Sequence, residues 1–146
     1  MQKYLERVDD GLPMRPSGPW VAEKLDYLQR YIDIFEQSMR KKWMRRSFID
    51  LFAGPGKCYD RNSETIYLGS PLIALTTHYP FTDYFLVDSD VENIQALATR
   101  CASTVRRSSR ITSLPRSAII TVGARSKILA SQSDDPIDSF RVAGLG

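Results

Sequence analysis

The chain has 146 residues, of which 42% are hydrophobic, enough to bury one sizeable core but hardly two. Its 20 Lys and Arg residues against 17 Asp and Glu leave a net charge of +3, so overall charge does not demand a nucleic acid or an anionic membrane as partner. One histidine and two distant cysteines offer no zinc set or disulfide framework, and without a signal peptide or long apolar run the chain is expected to be cytoplasmic, with no membrane partner.

The N-terminal part divides into a lead-in and a helix. Residues 1–19 are rich in glycine and proline, which predicts an irregular lead-in whose Ser17 caps the following element. From Trp20 onward, apolar residues recur at three- and four-residue steps, which predicts an amphipathic helix over residues 20–42 with Glu36 on its polar face.

The helix runs into the basic sequence RKKWMRR, residues 40–46. Cations are favourable at a helix C-terminus, so a solvated helix end is the preferred interpretation. The alternative is that Trp43, set among cations, contacts phosphates and stacks on bases.

Short apolar runs then alternate with helical patterns. Residues 47–53 are predicted to form a strand buried on both faces, 57–68 a polar loop, 71–78 a helix, 83–88 a second strand and 91–104 a second amphipathic helix. Parallel strands need crossover connections, so this order predicts an α/β fold over residues 20–146, a single Rossmann-like parallel sheet flanked by helices.

The tail, residues 105–146, is weakly defined. It begins with a Ser- and Arg-rich loop, and residues 118–122, 127–131 and 140–145 are predicted to form a strand, a helical turn and a fourth strand. The domain is therefore expected to be incomplete at its C-terminus, with an exposed sheet edge.

The stretch FIDLFAGPGKC, residues 48–58, combines an acid, apolar residues and two glycines. A Walker A loop is excluded because positions 51 and 58 are leucine and cysteine, and the dinucleotide fingerprint is excluded because Tyr59 replaces its third glycine. What remains is an acid followed by Gly-x-Gly at the carboxyl end of a strand, carried by Asp50, Phe52, Ala53, Gly54 and Gly56.

These residue types suit S-adenosylmethionine. Asp50 can attract the positive groups of its amino-acid end, while Gly54 and Gly56 let the backbone approach the cofactor. Asp88, ending the second strand, can accept both ribose hydroxyls. The alternative is that Gly-Pro-Gly is only a tight turn and Asp88 only ends its strand.

Four stretches together resemble the three-Cys-motif partner proteins, whose fold is of the class I methyltransferase type: GPWVAEKLDYLQRYIDIF, FIDLFAGPGKCYD, GSPLIAL and FLVDSDVENIQAL. The resemblance covers residues 18–101. It implies an S-adenosylmethionine-type domain, usually encoded beside a protein that bears a three-cysteine motif, often in a phage or mobile element.

The resemblance places Asp50, Gly54 and Gly56 in the methionine-side loop and Asp88 at the ribose, while Ser70 either lines the pocket or caps its helix. The chain departs from the pattern at two points. No acid lies in residues 122–125 to meet the adenine, and the Asp-Pro type motif of the methyl-transfer site is missing. A truncated, methyltransferase-like protein without an assigned catalytic residue is therefore expected.

Two functions follow from these features. In the first, the protein is related to S-adenosylmethionine-dependent methyltransferases, and the basic clusters at residues 40–46 and 106–116 make nucleic acid the first substrate class to test. In the second, it is a non-enzymatic interaction module, in which the helix of residues 20–42 and the open sheet edge bind the three-cysteine-motif protein.

Overall fold

A computed structural model describes residues 5–6, 8–108, 119–124 and 140–143, with side chains described over residues 8–104. The elements in chain order are β1 Leu5–Glu6, β2 Arg15–Ser17, α1 Val21–Met39, β3 Ser47–Asp50, β4 Lys57–Asp60, β5 Thr65–Leu68, α2 Ser70–Leu75, β6 Asp83–Asp88, α3 Val91–Ser108, β7 Ile119–Ala124 and β8 Phe140–Ala143. The expected mixture of helices and strands is confirmed.

One of the two four-stranded sheets has the strand order β3-β6-β7-β8. All three of its pairings are parallel, and the carboxyl ends of β3 and β6 lie side by side, with Asp50 opposite Leu86. Within the described strands, β3 has a neighbour on one side only. Its Ile49 side chain is exposed, so the prediction that this strand is buried on both faces is wrong.

The second sheet lies where the sequence predicted a polar loop. Strands β4 and β5 form an antiparallel hairpin, flanked by β1 and β2 in the order β1-β5-β4-β2. The hairpin turns at Asp60, whose carboxylate accepts hydrogen bonds from the Asn62 N–H and the Ser63 hydroxyl. Residues 57–68 are therefore structured, and the lead-in contributes two short strands rather than an irregular segment.

Helix α1 follows the predicted apolar period but turns two polar residues inward. Val21, Leu25 and Ile32 are buried as expected, and Gln29 and Glu36 are buried with them. The placement of Glu36 on the polar face is wrong, because Arg46 donates a 2.7 Å hydrogen bond to its carboxylate and so makes the burial tolerable. Ser17 is not the cap either, since the N-cap position is Trp20.

The central core is built around Tyr84 and Leu86 of β6, which are fully buried. Leu97 and Cys101 of α3 and Ile73 of α2 belong to the same cluster. The Tyr84 hydroxyl accepts a hydrogen bond from the Phe81 N–H and donates to the Ala74 carbonyl, which satisfies its polar tip inside the core. This packing fixes α2 and α3 against the strands and so positions the loop between β3 and β4.

Among the later elements, β7 and β8 occupy positions close to the predicted third and fourth strands, displaced by a residue or two at their ends. Residues 105–108, predicted as loop, extend α3 to Ser108. The predicted helical turn at residues 127–131 lies outside the described residues. No helix in the described part of the chain has the length and apolar character needed to cross a membrane.

Candidate functional site

Asp50 and Ser70 meet at the carboxyl end of β3. One carboxylate oxygen of Asp50 accepts a 3.1 Å hydrogen bond from the Phe52 N–H, and the other accepts a short hydrogen bond from the Ser70 hydroxyl. Ser70 is the first residue of α2, whose N-cap position is Gly69. Of the two roles open to Ser70, the structure therefore excludes the cap and gives it a contact with Asp50.

Asp88 lies at the end of the neighbouring strand and holds the glycine loop. One of its oxygens accepts a 2.9 Å hydrogen bond from the Gly54 N–H. The other accepts from the Asp90 N–H and the Asn93 amide at the start of α3. A carboxylate has about four acceptor positions, so three internal contacts leave Asp88 roughly one for any ligand.

The electrostatics of Asp88 follow from these contacts. Burial by itself raises the pKa of this carboxyl, but the hydrogen bonds from Asp90, Asn93 and Gly54, together with the positive charge of Arg15, lower its pKa below the ordinary value. Asp88 is therefore held as a carboxylate. Arg15, in the lead-in, lies close enough to act on it electrostatically.

The glycines of the loop allow both a turn and close packing. Gly54 and Gly56 have φ values of +63° and +90°, a backbone region that side chains disfavour. A Cβ atom on Gly56 would lie 3.0 Å from Leu97 Cδ1, and one on Gly69 would lie 3.0 Å from the Gly56 carbonyl oxygen. At Gly56 and Gly69, then, the missing side chains let α3 and the start of α2 approach the loop.

A cavity of about 500 Å³ opens on the α1 side of this loop. Of the predicted site residues, five line it: Asp50, Phe52, Ala53, Gly56 and Ser70. Its apolar wall includes Leu25 and Leu28 of α1. Gly54 and Asp88 are not among the described residues that line the cavity, so the structure brings Asp50 and Ser70 to it but not Asp88, whose carboxylate accepts from the Gly54 N–H.

Two cations at this cavity were missed by the sequence reasoning. Arg15 lies on β2 opposite Cys58 of β4, and Lys24 lies near the start of α1. Within the described residues neither one forms an ion pair, although the Lys24 ammonium lies 5.6 Å from the centre of the Trp20 ring. No local sequence motif identifies Arg15 and Lys24 as site residues. They lie at the same cavity only because the lead-in pairs with the hairpin.

The two cysteines are poor nucleophiles in this structure. Burial raises the pKa of the Cys101 thiol to about 12. Burial also raises the pKa of Cys58, against the opposing effects of the Ser17 hydrogen bond and of the charges of Arg15 and Lys24. Over the described residues, no group of three or more His, Cys, Asp or Glu side chains is arranged to hold a metal ion.

The basic cluster at residues 40–46 is partly used inside the protein. Three of its cations contact other side chains: Arg40 lies 4.0 Å from the Tyr79 ring centre, Arg45 pairs with Asp83, and Arg46 pairs with Glu36. Lys41 and Lys42 remain exposed beside the exposed Trp43. The surface available to an anionic partner is therefore smaller than the sequence predicted.

Comparisons with protein families, curated proteins and solved structures found no match for this chain.

Proposed function

We propose that this chain is an S-adenosylmethionine-binding protein of the three-Cys-motif partner type, related to methyltransferases. The observation that carries the proposal is the cavity beneath the β3 to β4 loop, where Asp50, Ser70 and Gly56 meet at the carboxyl end of a parallel strand. Ligands of open α/β sheets bind at that end of the strands. A Rossmann-like sheet is part of the proposal. The order β7-β6-β3 corresponds to the 3-2-1 half of a doubly wound sheet, whereas β8 pairs with β7 and not with β3, beside which the fourth strand of such a sheet lies.

Different residues of the cavity would bind different parts of the cofactor. The Asp50 carboxylate, which keeps acceptor positions beyond its contacts with Phe52 and Ser70, would attract the ammonium and sulfonium groups. Phe52, Ala53 and Gly56 would supply the loop surface, and Leu25 and Leu28 an apolar wall. The bound cofactor would supply an activated methyl group.

Asp88 has a narrower role than the sequence suggested. Asp88 does not line the cavity, so a ribose reaches it only if the cofactor extends past the cavity along the glycine loop. With about one acceptor position left, Asp88 would then receive one ribose hydroxyl, and the second requires it to release a contact with Asn93 or Gly54. The Asn93 contact, at 3.3 Å, is the longer of the two and the one we expect to yield. We assign no residue to proton transfer or to the methyl acceptor.

Nucleic acid is the acceptor class we propose to test first. Lys41, Lys42 and Trp43 are exposed together after α1, a combination that can contact phosphates and stack on a base. Replacement of both lysines by glutamine should weaken oligonucleotide binding and flatten its salt dependence. Unaltered binding would remove this surface from the proposal.

The cofactor proposal is tested by calorimetric titration of the purified chain with S-adenosylhomocysteine, supported by melting curves. Ligand at a hundred times its Kd should add about 2.7 kcal/mol to the free energy of unfolding. Asp50→Asn and Asp88→Asn should weaken binding, whereas Asp26→Asn, which removes an acid paired with Arg30 away from the cavity, should not. No saturable binding by the folded wild-type chain would contradict the proposal.

A second candidate function is the interaction module, favoured by exposed apolar side chains. Tyr27, Tyr31 and Ile34 form a stripe on α1 and are each about two-thirds exposed, at 64%, 67% and 66%. Ile49 is exposed on β3, which has a free edge within the described strands. Such surfaces are typical of protein interfaces.

Single substitutions distinguish the two proposed functions. Tyr31→Ser should weaken capture of a recombinant three-cysteine-motif protein without changing S-adenosylhomocysteine affinity, and Asp50→Asn should do the reverse. If Tyr31→Ser has no effect on capture, the α1 stripe is not the interface.

A further inference from the structure

We propose that Arg15 and Lys24 form a carboxylate-binding subsite, which receives the carboxylate of the amino-acid end of the cofactor. This inference rests on the proposed function, because it assigns one part of the same ligand. It adds two residues from the lead-in and from α1 to a site that was otherwise built from the loop after β3.

The charges around the cavity suit an amino-acid group. One acid, Asp50, and two cations, Arg15 and Lys24, line the same cavity. Lys57 also lines the cavity, but its ammonium is already bound to the Val8 carbonyl and to Asp10. An α-amino acid is a zwitterion, so a cavity lined by one acid and by two cations that form no ion pair within the described residues can bind both of its charges.

Arg15 is placed at the loop itself. If Gly54 carried a Cβ atom, that atom would lie 3.9 Å from Arg15 Cδ, so the aliphatic part of the side chain runs alongside the Gly-Pro-Gly turn. The pairing of β2 with β4 sets this position, with Arg15 opposite Cys58. The positive charge of Arg15 also acts on Asp88.

Neither cation is occupied in the described structure. Arg15 and Lys24 have no carboxylate partner there and both are exposed, so a ligand carboxylate would not have to displace an existing ion pair. Charge-assisted hydrogen bonds from such cations change affinity by about tenfold to a hundredfold. The subsite therefore predicts a measurable preference for ligands that keep the carboxylate.

The test compares two ligands by calorimetry: S-adenosylhomocysteine, and S-adenosyl-3-thiopropylamine, which keeps the amine and lacks the carboxylate. The wild-type chain should bind the first about tenfold to a hundredfold more tightly. In Arg15→Gln and in Lys24→Gln this ratio should fall toward one, while the affinity for the amine ligand stays the same or improves.

Arg30→Gln is the matched control, since it removes a cation of α1 that does not line the cavity, and its ratio should equal that of the wild type. Equal ratios in wild type, Arg15→Gln and Lys24→Gln would overturn the subsite but leave cofactor binding in place. If neither ligand binds the folded wild-type chain, the proposed function fails, and the subsite fails with it. Melting curves of the three variants establish that each is folded.

Discussion

Arg100 of α3 donates a 2.6 Å hydrogen bond to the carbonyl oxygen of Pro55, the middle residue of the Gly-Pro-Gly loop. The same guanidinium donates two hydrogen bonds to Asp10 and others to the Leu12 and Pro13 carbonyls. One buried side chain therefore ties the lead-in and the loop to α3.

Replacement of Arg100 should loosen both segments at once. Arg100→Ala leaves three carbonyl oxygens without this donor and leaves Asp10 with Lys57 as its only cation within the described residues, and we expect the free energy of unfolding to fall by about 3 kcal/mol or more. Arg100→Lys should recover only part of this loss, because an ammonium does not reproduce the planar set of donors. Urea denaturation measures the change.

The control is Arg30→Ala, which breaks an ion pair between two consecutive turns of α1 whose arginine is 71% exposed. Its cost should stay below about 1 kcal/mol. Similar losses for Arg100→Ala and Arg30→Ala would show that the lead-in is not held by Arg100.

Asp10 should make the stability depend on acid pH. The Arg100 guanidinium, helped by Lys57, lowers the pKa of Asp10 well below its ordinary value of 3.8 and outweighs the effect of burial. A lowered folded-state pKa means that this contribution is complete above the unfolded-state pKa and is lost as the pH falls below about 4.

Asp10→Asn removes that contribution at neutral pH. The difference in unfolding free energy between wild type and variant should therefore be largest near pH 7 and shrink toward pH 3. Other acids with altered pKa values are present in both proteins, among them Glu36, whose pKa is raised by burial. Their contributions to the unfolding free energy therefore cancel when the variant is compared with the wild type. A constant difference across this range would mean that Asp10 is not charge-paired in solution.

The buried pair of Glu36 and Arg46 should be strongly coupled. Glu36 is fully buried, its Oε2 accepts from Arg46, and its Oε1 has no hydrogen-bond partner within the described residues. Glu36→Met or Arg46→Met alone leaves a buried charge unpaired and should cost about 3 to 5 kcal/mol. The double replacement should cost less than the sum of the two single losses, since both desolvated charges are removed, although it still leaves the Trp43 and Pro80 carbonyls without the Arg46 donor.

A double-mutant cycle from urea denaturation measures this coupling. Additive losses in the double variant would argue against a direct ion pair.

Two glycines with similar backbone angles should respond differently to alanine. Gly11 has φ +72° with nothing within 4 Å of an added Cβ atom, so Gly11→Ala should cost only the backbone term, about 1 kcal/mol. Gly56→Ala adds a contact with Leu97 at 3.0 Å and should cost about 1 to 3 kcal/mol more. Equal unfolding free energies for the two variants would mean that Leu97 of α3 moves aside to accept the added methyl group.

The thiols should react in a fixed order. Cys101 is fully buried with its pKa raised to about 12, so a disulfide reagent should modify it only at the rate of unfolding. Cys58 is partly exposed and should react first, though more slowly than free cysteine because burial raises its pKa. Two equal, fast rates without denaturant would contradict the described packing, and urea should make the thiols equivalent.

The sequence by itself determined the order of the main elements. Residues 21–39 repeat apolar side chains at helical spacing, and the runs before Gly54 and before Ser89 are short, apolar and closed by breakers. Such signals are local, because side-chain period and turn residues act over a few positions. The resemblance, and not chain order, offered Ser70 a place in the pocket with Asp50, since the β4 and β5 hairpin separates the two residues along the chain.

Only the tertiary structure decided which polar groups are buried and which charges meet. Glu36 is inside because Arg46 reaches it from beyond the end of α1, and residues 57–68 are strands because the lead-in pairs with them. Arg15 reaches the cavity through that same pairing, and Asp88 accepts hydrogen bonds from Gly54, Asp90 and Asn93 rather than being left free for a ribose. These outcomes depend on contacts between residues that are distant along the chain. A local pattern of residues does not determine the energies of such contacts.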